Sequence, residues 1–210
     1  MESNYEAAKK AAAQYFLNFD QEEIIAKPFV KSDETYLYLD MFDTAYRISK
    51  NSGLAEGSRD AFQNVYEADF NEAMTIYDLL CYRKRDAEPS FRYATLESLN
   101  RVYSAGKQLG TGFYQKTADY FDGHAGALKT ACEILGGSPE GKGDISYRIP
   151  FFGLLGIVVS FWQSDDEFSA DLSIMMDQNS YDFLHYETMY YVSGHLLARL
   201  EALAAEHEID

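Results

Sequence analysis

The chain has 210 residues, 47% of them hydrophobic and 15% aromatic, with 17 tyrosines and 14 phenylalanines. That much apolar material can bury a substantial core and excludes a disordered chain. The 18 basic and 34 acidic residues leave a formal net charge of −16, which repels polyphosphate and anionic lipid and argues against nucleic acid as a partner.

At the N-terminus Tyr5, Ala8, Ala12, Tyr15, Phe16 and Phe19 recur at helical spacing, predicting a helix over about 5–17. This stretch is amphipathic and lacks the basic n-region and apolar run of a secretory leader, so the cytoplasm is the expected location. A short acidic helical turn follows near Gln21–Ala26, and Pro28 interrupts it. "TYLYLDMFDTAYRIS" then switches to period two. Leu37, Leu39 and Met41 share one face, Thr44, Tyr46 and Ile48 repeat the alternation, and Phe42-Asp43 reads as a hairpin corner.

Asn51–Ser58 reads as a loop from its Gly, Asn and Ser content. Beyond it Phe62, Val65, Tyr66, Ala73, Ile76, Tyr77 and Leu80 follow a helical period into Arg83-Lys84-Arg85, where cations stabilise a helix C-terminus. Cys81 and Cys132 stand outside any CxxC or Cys/His ladder. A disulfide framework, a zinc knuckle and a cysteine-ligated cluster are thereby disfavoured. Pro89 breaks the chain, and Thr95 reads as the N-cap of a helix carrying Leu96, Leu99, Val102 and Tyr103.

From Phe113 to Leu135 the pattern is again helical, with an interruption near Gly123 and an αL cap at Gly136-Gly137. After the "SPEGKG" loop, Ile145, Tyr147 and Ile149 alternate with Ser146 and Arg148 as a strand stopped by Pro150. The run Ile149–Trp162 contains Pro150, Gly153 and Gly156 and is shorter than the ~20 apolar residues of a membrane span. Ile157–Trp162, β-branched and apolar on both faces, reads as a central strand. Gln163–Glu167 is a polar turn, and Phe168–Met176 alternates as the returning strand. Phe183 to Leu203 predicts a long C-terminal helix.

Candidate chemistry is sparse. Asp165-Asp166-Glu167 groups carboxylates as a hard cation would require, but without EF-hand spacing, so a solvated turn is favoured over a metal site. His185 and His195 lie ten residues apart and form no i, i+4 ligand pair, and His124 has no nucleophile motif beside it. "GKGD" is too short for a phosphate loop. Tyr36, Tyr38, Tyr46, Tyr147, Tyr181, Tyr186, Tyr190 and Tyr191 suit a ligand pocket, a core with wet hydroxyls or a self-associating face.

One stretch carries a resemblance. Gly136, Gly137, Gly143, Asp144, Arg148, Pro150, Trp162, Asp166, Glu167, Phe168 and Asp177 follow the order of a family of uncharacterised domains of unknown function from anaerobic bacteria and archaea. In that family a helix ends in Gly-Gly, a Gly-Asp pair opens a strand, an Arg/Pro motif follows, and a Trp precedes an acidic turn and a strand ending in Asp. The match is specific over 134–177 and weaker over the N-terminal helix and hairpin, and the apolar Pro150–Trp162 spacing is longer than the family pattern. Some relatives are joined to iron–sulfur segments, and some are associated with corrinoid-dependent methyl transfer. The resemblance therefore implies an accessory or cofactor-binding role, with no cysteine-rich segment here to carry electrons.

The expected fold is a single α+β domain over 1–210, an antiparallel sheet of about five strands built from two hairpins and the Asp144 strand, with helices mainly on one face. The expected function is a soluble small-molecule or cofactor-binding protein whose pocket is edged by Asp144, Tyr147, Arg148, Trp162, Asp166 and Glu167. The cofactor and any catalytic residue stay open, with corrinoids, flavins and small acids as ligand classes. Two alternatives stand beside it: a hydrolase or lyase using Asp144 or Glu167 as general acid or base, and a tyrosine-rich homodimer.

Overall fold

A computed structural model describes residues 4–99 and 112–207. Val102 and Tyr103 of the helix expected after Thr95 lie outside the described residues. The fold is α+β, as expected, but the strands divide between two five-stranded antiparallel sheets. Internal contacts likewise separate two compact units, residues 1–88 with 179–195 and residues 89–178 with 196–210. Among the described residues no helix is long and apolar enough to cross a membrane.

The first unit opens with α1 (Asn4–Phe16) and α2 (Gln21–Ile25). The expected stripe of α1 turns inward only in part: Phe16 is buried as expected, but Tyr5, Ala8 and Tyr15 are exposed, and Lys9 and Ala13 are buried in their place. Lys9 is accommodated because its ammonium meets Glu67 at 2.7 Å and Glu6 at 3.3 Å and donates to the Ala68 carbonyl. The first sheet runs in sequence order through β1 (Lys31–Ser32), β2 (Tyr36–Met41), β3 (Thr44–Ser49), β4 (Ala55–Ser58) and β5 (Tyr66–Glu67). The Phe42-Asp43 corner is as expected, closing on the Met41–Thr44 pair. Leu37, Leu39, Met41, Tyr46 and Ile48 form the buried face.

Two expectations in this unit are corrected. Ala55–Ser58 is a strand and not loop, paired with β3 from Ala45–Ser58 to Ile48–Ala55. The helix expected from Phe62 begins only at α3 (Phe70–Tyr77). Upstream, Ser58 and Asp60 capture the backbone amides of Phe62 and Asn64 and hold that segment as a loop. Asp69 then caps the helix in a reciprocal box with Glu72. After α3 comes a π-helical turn, Asp78–Tyr82, whose carbonyls at Leu79, Leu80 and Cys81 accept from Arg83 and Lys27. Of the basic cluster, Arg83 takes the structural role its position suggested, while Lys84 pairs with Asp182.

The second unit starts with β6 (Tyr93–Thr95), a strand the periodicity did not reveal, and α4 (Leu96–Leu99), where Thr95 accepts from Ser98 N as the expected N-cap. α5 (Gln115–Phe121) and α6 (Ala125–Ile134) are separated at Gly123, and Gly136 takes the left-handed cap at φ 73°. The second sheet adds β7 (Ser138–Pro139), β8 (Ile145–Phe152), β9 (Leu155–Trp162) and β10 (Asp171–Asp177), in spatial order β6-β10-β9-β8-β7. Pro150 does not stop β8. Beyond Arg148 the two-residue β7 no longer pairs with β8, so the missing amide costs no ladder bond on that side.

Ile157–Trp162 is a strand, paired on both sides. The connection to β10 runs from residue 163 to 170, longer than expected, because the first pair is Trp162–Asp171 and Phe168 is exposed. α5 packs on β10 and α6 on β8, over the face carrying Ile149, Ile157, Val159, Phe161, Leu172 and Ile174. The C-terminal helix α7 (Tyr186–His207) begins within the first unit and ends within the second.

Candidate functional site

The six candidate residues lie in the second unit: Asp144 just before β8, Tyr147 and Arg148 on β8, Trp162 at the end of β9, and Asp166 and Glu167 in the turn that follows. Tyr147 and Arg148 are neighbours on β8 and face opposite sides of the sheet. Tyr147 is buried and donates to Glu133 of α6 at 2.9 Å, while Arg148 lies 3.7 Å from Glu140. Arg148 pairs with Val158, four residues from Trp162, a separation of about 13 Å along β9. Asp144 is exposed and its carboxylate accepts Gln163 N at 2.8 Å, tying the start of β8 to the end of β9. The six residues are therefore spread over two faces and a turn.

The acidic stretch is organised as a turn. Asp165 accepts the backbone amides of Glu167 and Phe168 at 2.8 Å each, bonds that hold its carboxyl below the usual range, and Asp122 receives Ser164. Asp166 and Glu167 are exposed. Two further motif residues explain themselves. Gly143 stands at φ 99°, where an added Cβ would lie 2.7 Å from the Phe161 carbonyl. Asp177, fully buried, accepts Ser90 N, Ser90 Oγ and Phe91 N. Among the described residues no group of three or more His, Cys, Asp or Glu is placed to hold a metal ion.

A different arrangement occupies the first unit. Two adjoining cavities, about 290 and 180 Å³, both contact Asp40 and Ala45 of the β2–β3 hairpin. The larger is bounded by Phe42, Asp43, Arg59 and Ala61, and the smaller by Phe29, Lys31, Tyr38 and Phe62. Four of these residues are non-glycines in the left-handed backbone region: Phe29 at φ 63°, Phe42 at 52°, Ala61 at 56° and Phe62 at 64°. Each such conformation costs on the order of 1–3 kcal/mol and persists only where neighbours enforce it.

Those neighbours are visible. Ser58 Oγ accepts Phe62 N at 2.9 Å, and Asp60 binds the Ser58 hydroxyl and both the amide and side chain of Asn64. Loop 58–64 is thereby bent back so that Phe62 meets Tyr38 edge-on at 5.8 Å. Arg47, held by Glu56 at 2.7 Å, places its guanidinium 4.7 Å from the Tyr36 ring and 5.2 Å from Phe62. Asp33 orders the other end, accepting Thr35 N, Tyr36 N and the Tyr38 hydroxyl, the last at 2.6 Å.

On the buried side of the same hairpin sits a polar cluster. Glu72 Oε1 accepts the hydroxyls of Tyr46 at 2.6 Å and Tyr66 at 2.8 Å, while Oε2 accepts Asp69 N. Gly57 makes the Tyr66 contact feasible, since a Cβ there would fall 2.5 Å from the tyrosine ring. Burial and the adjacent carboxylate push the Tyr46 hydroxyl far above its ordinary pKa, so it stays protonated as donor. His195 completes the group, its Nε2 3.6 Å from Glu72 Oε1 and its ring 5.2 Å from that of Phe42. Sequence reading noticed Tyr46 and His195 separately and missed Asp40, Arg59, Phe62, Tyr66 and Glu72. The D-x-x-E spacing of Asp69 and Glu72 was the one local signal that marked this region.

The architecture and site define an α+β protein with an aromatic, charge-edged cavity on one hairpin and a structural acidic turn elsewhere. The family described as "Domain of unknown function (DUF3786)" matches residues 20–199, and the chain belongs to it. No curated protein and no solved structure matches.

Proposed function

We propose that the chain is a soluble, cytoplasmic binding protein for a small organic molecule, and that the ligand occupies the paired cavities on the β2–β3 hairpin. The observation that carries this reading is the concentration of backbone strain: Phe29, Phe42, Ala61 and Phe62 all line the two cavities. A fold tolerates such conformations where a site needs side chains aimed in one direction. The lining is also what a flat or amphipathic ligand requires, with rings at one end and Asp40, Asp43 and Arg59 at the other.

The accessory role in anaerobic metabolism suggested by the resemblance supplies the ligand classes to try, namely corrinoids, flavins and small acids. A corrin macrocycle exceeds either cavity, so small acids and single heterocyclic rings fit best. An acid–base enzyme working through Asp144 or Glu167 is less favoured, because both carboxylates are exposed and that role asks for an enclosed one. A tyrosine-rich dimer face is less favoured because Tyr46, Tyr147 and Tyr186 are buried within their own units.

Calorimetric titration of the chain and of Ala45→Phe tests the reading. Ala45 faces both cavities from the outward side of β3, so the larger ring fills them without disturbing the core. A single-ring heterocycle or small carboxylate that binds the wild type is expected to lose binding to Ala45→Phe. Equal binding to both proteins would overturn the assignment.

A further inference from the structure

Phe168 is 70% exposed, more than any other large hydrophobic side chain among the described residues, and Trp162, the chain's one tryptophan, is 38% exposed. The two stand at the end of β9 and in the connection that follows it. Leaving a phenylalanine in water forgoes about 1.5–3 kcal/mol of burial. This stretch is not loose, since Asp144 accepts Gln163 N, Asp122 accepts Ser164 N, Asp165 N donates to the Phe168 carbonyl and Gln115 donates to the Ala170 carbonyl. The ring is held outward, in a surface that aromatic side chains mark as an interface.

The surroundings of the two rings carry one sign of charge. Asp171 lies directly across from Trp162 in the β9–β10 ladder, on the same face, with Cβ atoms about 5 Å apart. Asp144 is tied to the residue after Trp162, and Asp166 and Glu167 are exposed in the turn beside Phe168. Hydrogen bonds from Ser164 hold Asp122, and backbone amides hold Asp165, below the usual carboxyl range, which keeps both charged. Among the described residues none of these six carboxylates is in an ion pair with a lysine or arginine, and Arg148 on the neighbouring strand is turned to Glu140.

That combination decides between occupants. Nucleic acid and anionic lipid are repelled. A second copy related by a two-fold axis would set the same carboxylates against themselves. No group of three or more of these acids is placed to hold a metal ion. A basic protein surface is complementary in both respects: its cations meet the carboxylates, while its aliphatic stems and guanidinium planes lie on aromatic faces.

We propose that this edge of the second sheet docks a lysine- or arginine-rich segment of another protein, with an apolar side chain of that segment against Phe168 and one of its cations over Trp162 beside Asp171. The surface belongs to the second unit and stands apart from the ligand reading of the hairpin cavities.

Trp162 is the sole tryptophan, so its fluorescence reports the contact directly. The test is a titration of the full chain at pH 7.5 and 150 mM salt with three acetylated nonapeptides: lysines and arginines around a central leucine, the same peptide with a central serine, and glutamates around a central leucine. The basic leucine peptide is expected to shift the Trp162 emission and to bind about tenfold more tightly than the serine peptide. Phe168→Ser and the double variant Asp166→Asn, Glu167→Gln are each expected to weaken it about tenfold, with circular dichroism unchanged because the three side chains are exposed. Equal binding of the leucine and serine peptides, or equal binding by wild type and Phe168→Ser, would reduce the effect to diffuse charge and overturn the proposal. So would binding of the acidic peptide, or no response to any of the three. A dimer in sedimentation velocity that Phe168→Ser dissolves would assign the surface to a second copy instead.

Discussion

Glu72 and Tyr46 share a 2.6 Å hydrogen bond in the interior of the first unit, joining the capped start of α3 to the centre of β3. Around this bond one carboxylate receives three donors, two phenolic hydroxyls and the Asp69 amide. Replacing Glu72 by Ala strands all three, so a loss of about 3–5 kcal/mol is expected. Glu72→Gln, which keeps one acceptor oxygen, should lose about half as much. Urea unfolding followed by circular dichroism measures both, and an alanine variant within 1 kcal/mol of wild type would contradict the assignment of these bonds.

The same region gives a pH dependence. Burial depresses the His195 pKa below its usual 6.5, outweighing Glu72, Asp69 and Asp43, which raise it, while Arg59 lowers it further. Near pH 6 the unfolded chain therefore binds more protons at this position than the native one does. Its contribution to stability is full above pH 6.5 and falls as the pH drops through 6.5 towards the lower native value. Comparing the urea midpoint of wild type with that of His195→Phe at pH 7.5 and pH 5.5 isolates this contribution. The wild type should lose more than the variant between the two.

Much of the second sheet was legible. Ile157–Trp162 and its alternating partner are strands because one run is apolar on both faces and the other on one, a pattern that depends only on the chain's own residues. The first unit was harder to read. Phe62, Val65 and Tyr66 match a helical period, yet Ser58 and Asp60 take the amides that helix would need, and Tyr66 joins a strand. Lys9 looked like a surface residue until Glu67, 58 positions away, was placed beside it at 2.7 Å. The cavity was invisible for the same reason: Asp40, Arg59 and Ala61 come together only through the hairpin and loop 58–64. Acidic residues that drew attention by their density, Asp165 to Glu167, serve a turn.

Asp177 offers a second stability test, in the other unit. Its buried carboxylate accepts two backbone amides and a hydroxyl and holds Phe91 in a left-handed conformation at φ 56°. Asp177→Ala should cost about 2–4 kcal/mol. Asp144→Asn, at the exposed turn, should cost under 1 kcal/mol, because the amide oxygen still accepts Gln163 N. Reversal of that order would mean that the acidic turn carries more than the geometry shows.

Gly143→Ala is expected to destabilise by about 1–3 kcal/mol, combining a left-handed backbone with a Cβ placed 2.7 Å from the Phe161 carbonyl. Gly126→Ala, where an added Cβ meets nothing within 4 Å inside α6, should instead stabilise by up to about 1 kcal/mol. Thermal unfolding of the two variants in parallel decides this.

Soaking crystals of the chain with glycolate and a single-ring heterocycle, and mapping where ordered density arises, tests most directly where the ligand sits. Density bounded by Asp40, Ala45 and either Arg59 or Phe62 is the predicted result. Density beside Trp162 and the Asp165 turn, with the hairpin cavities empty, would contradict it.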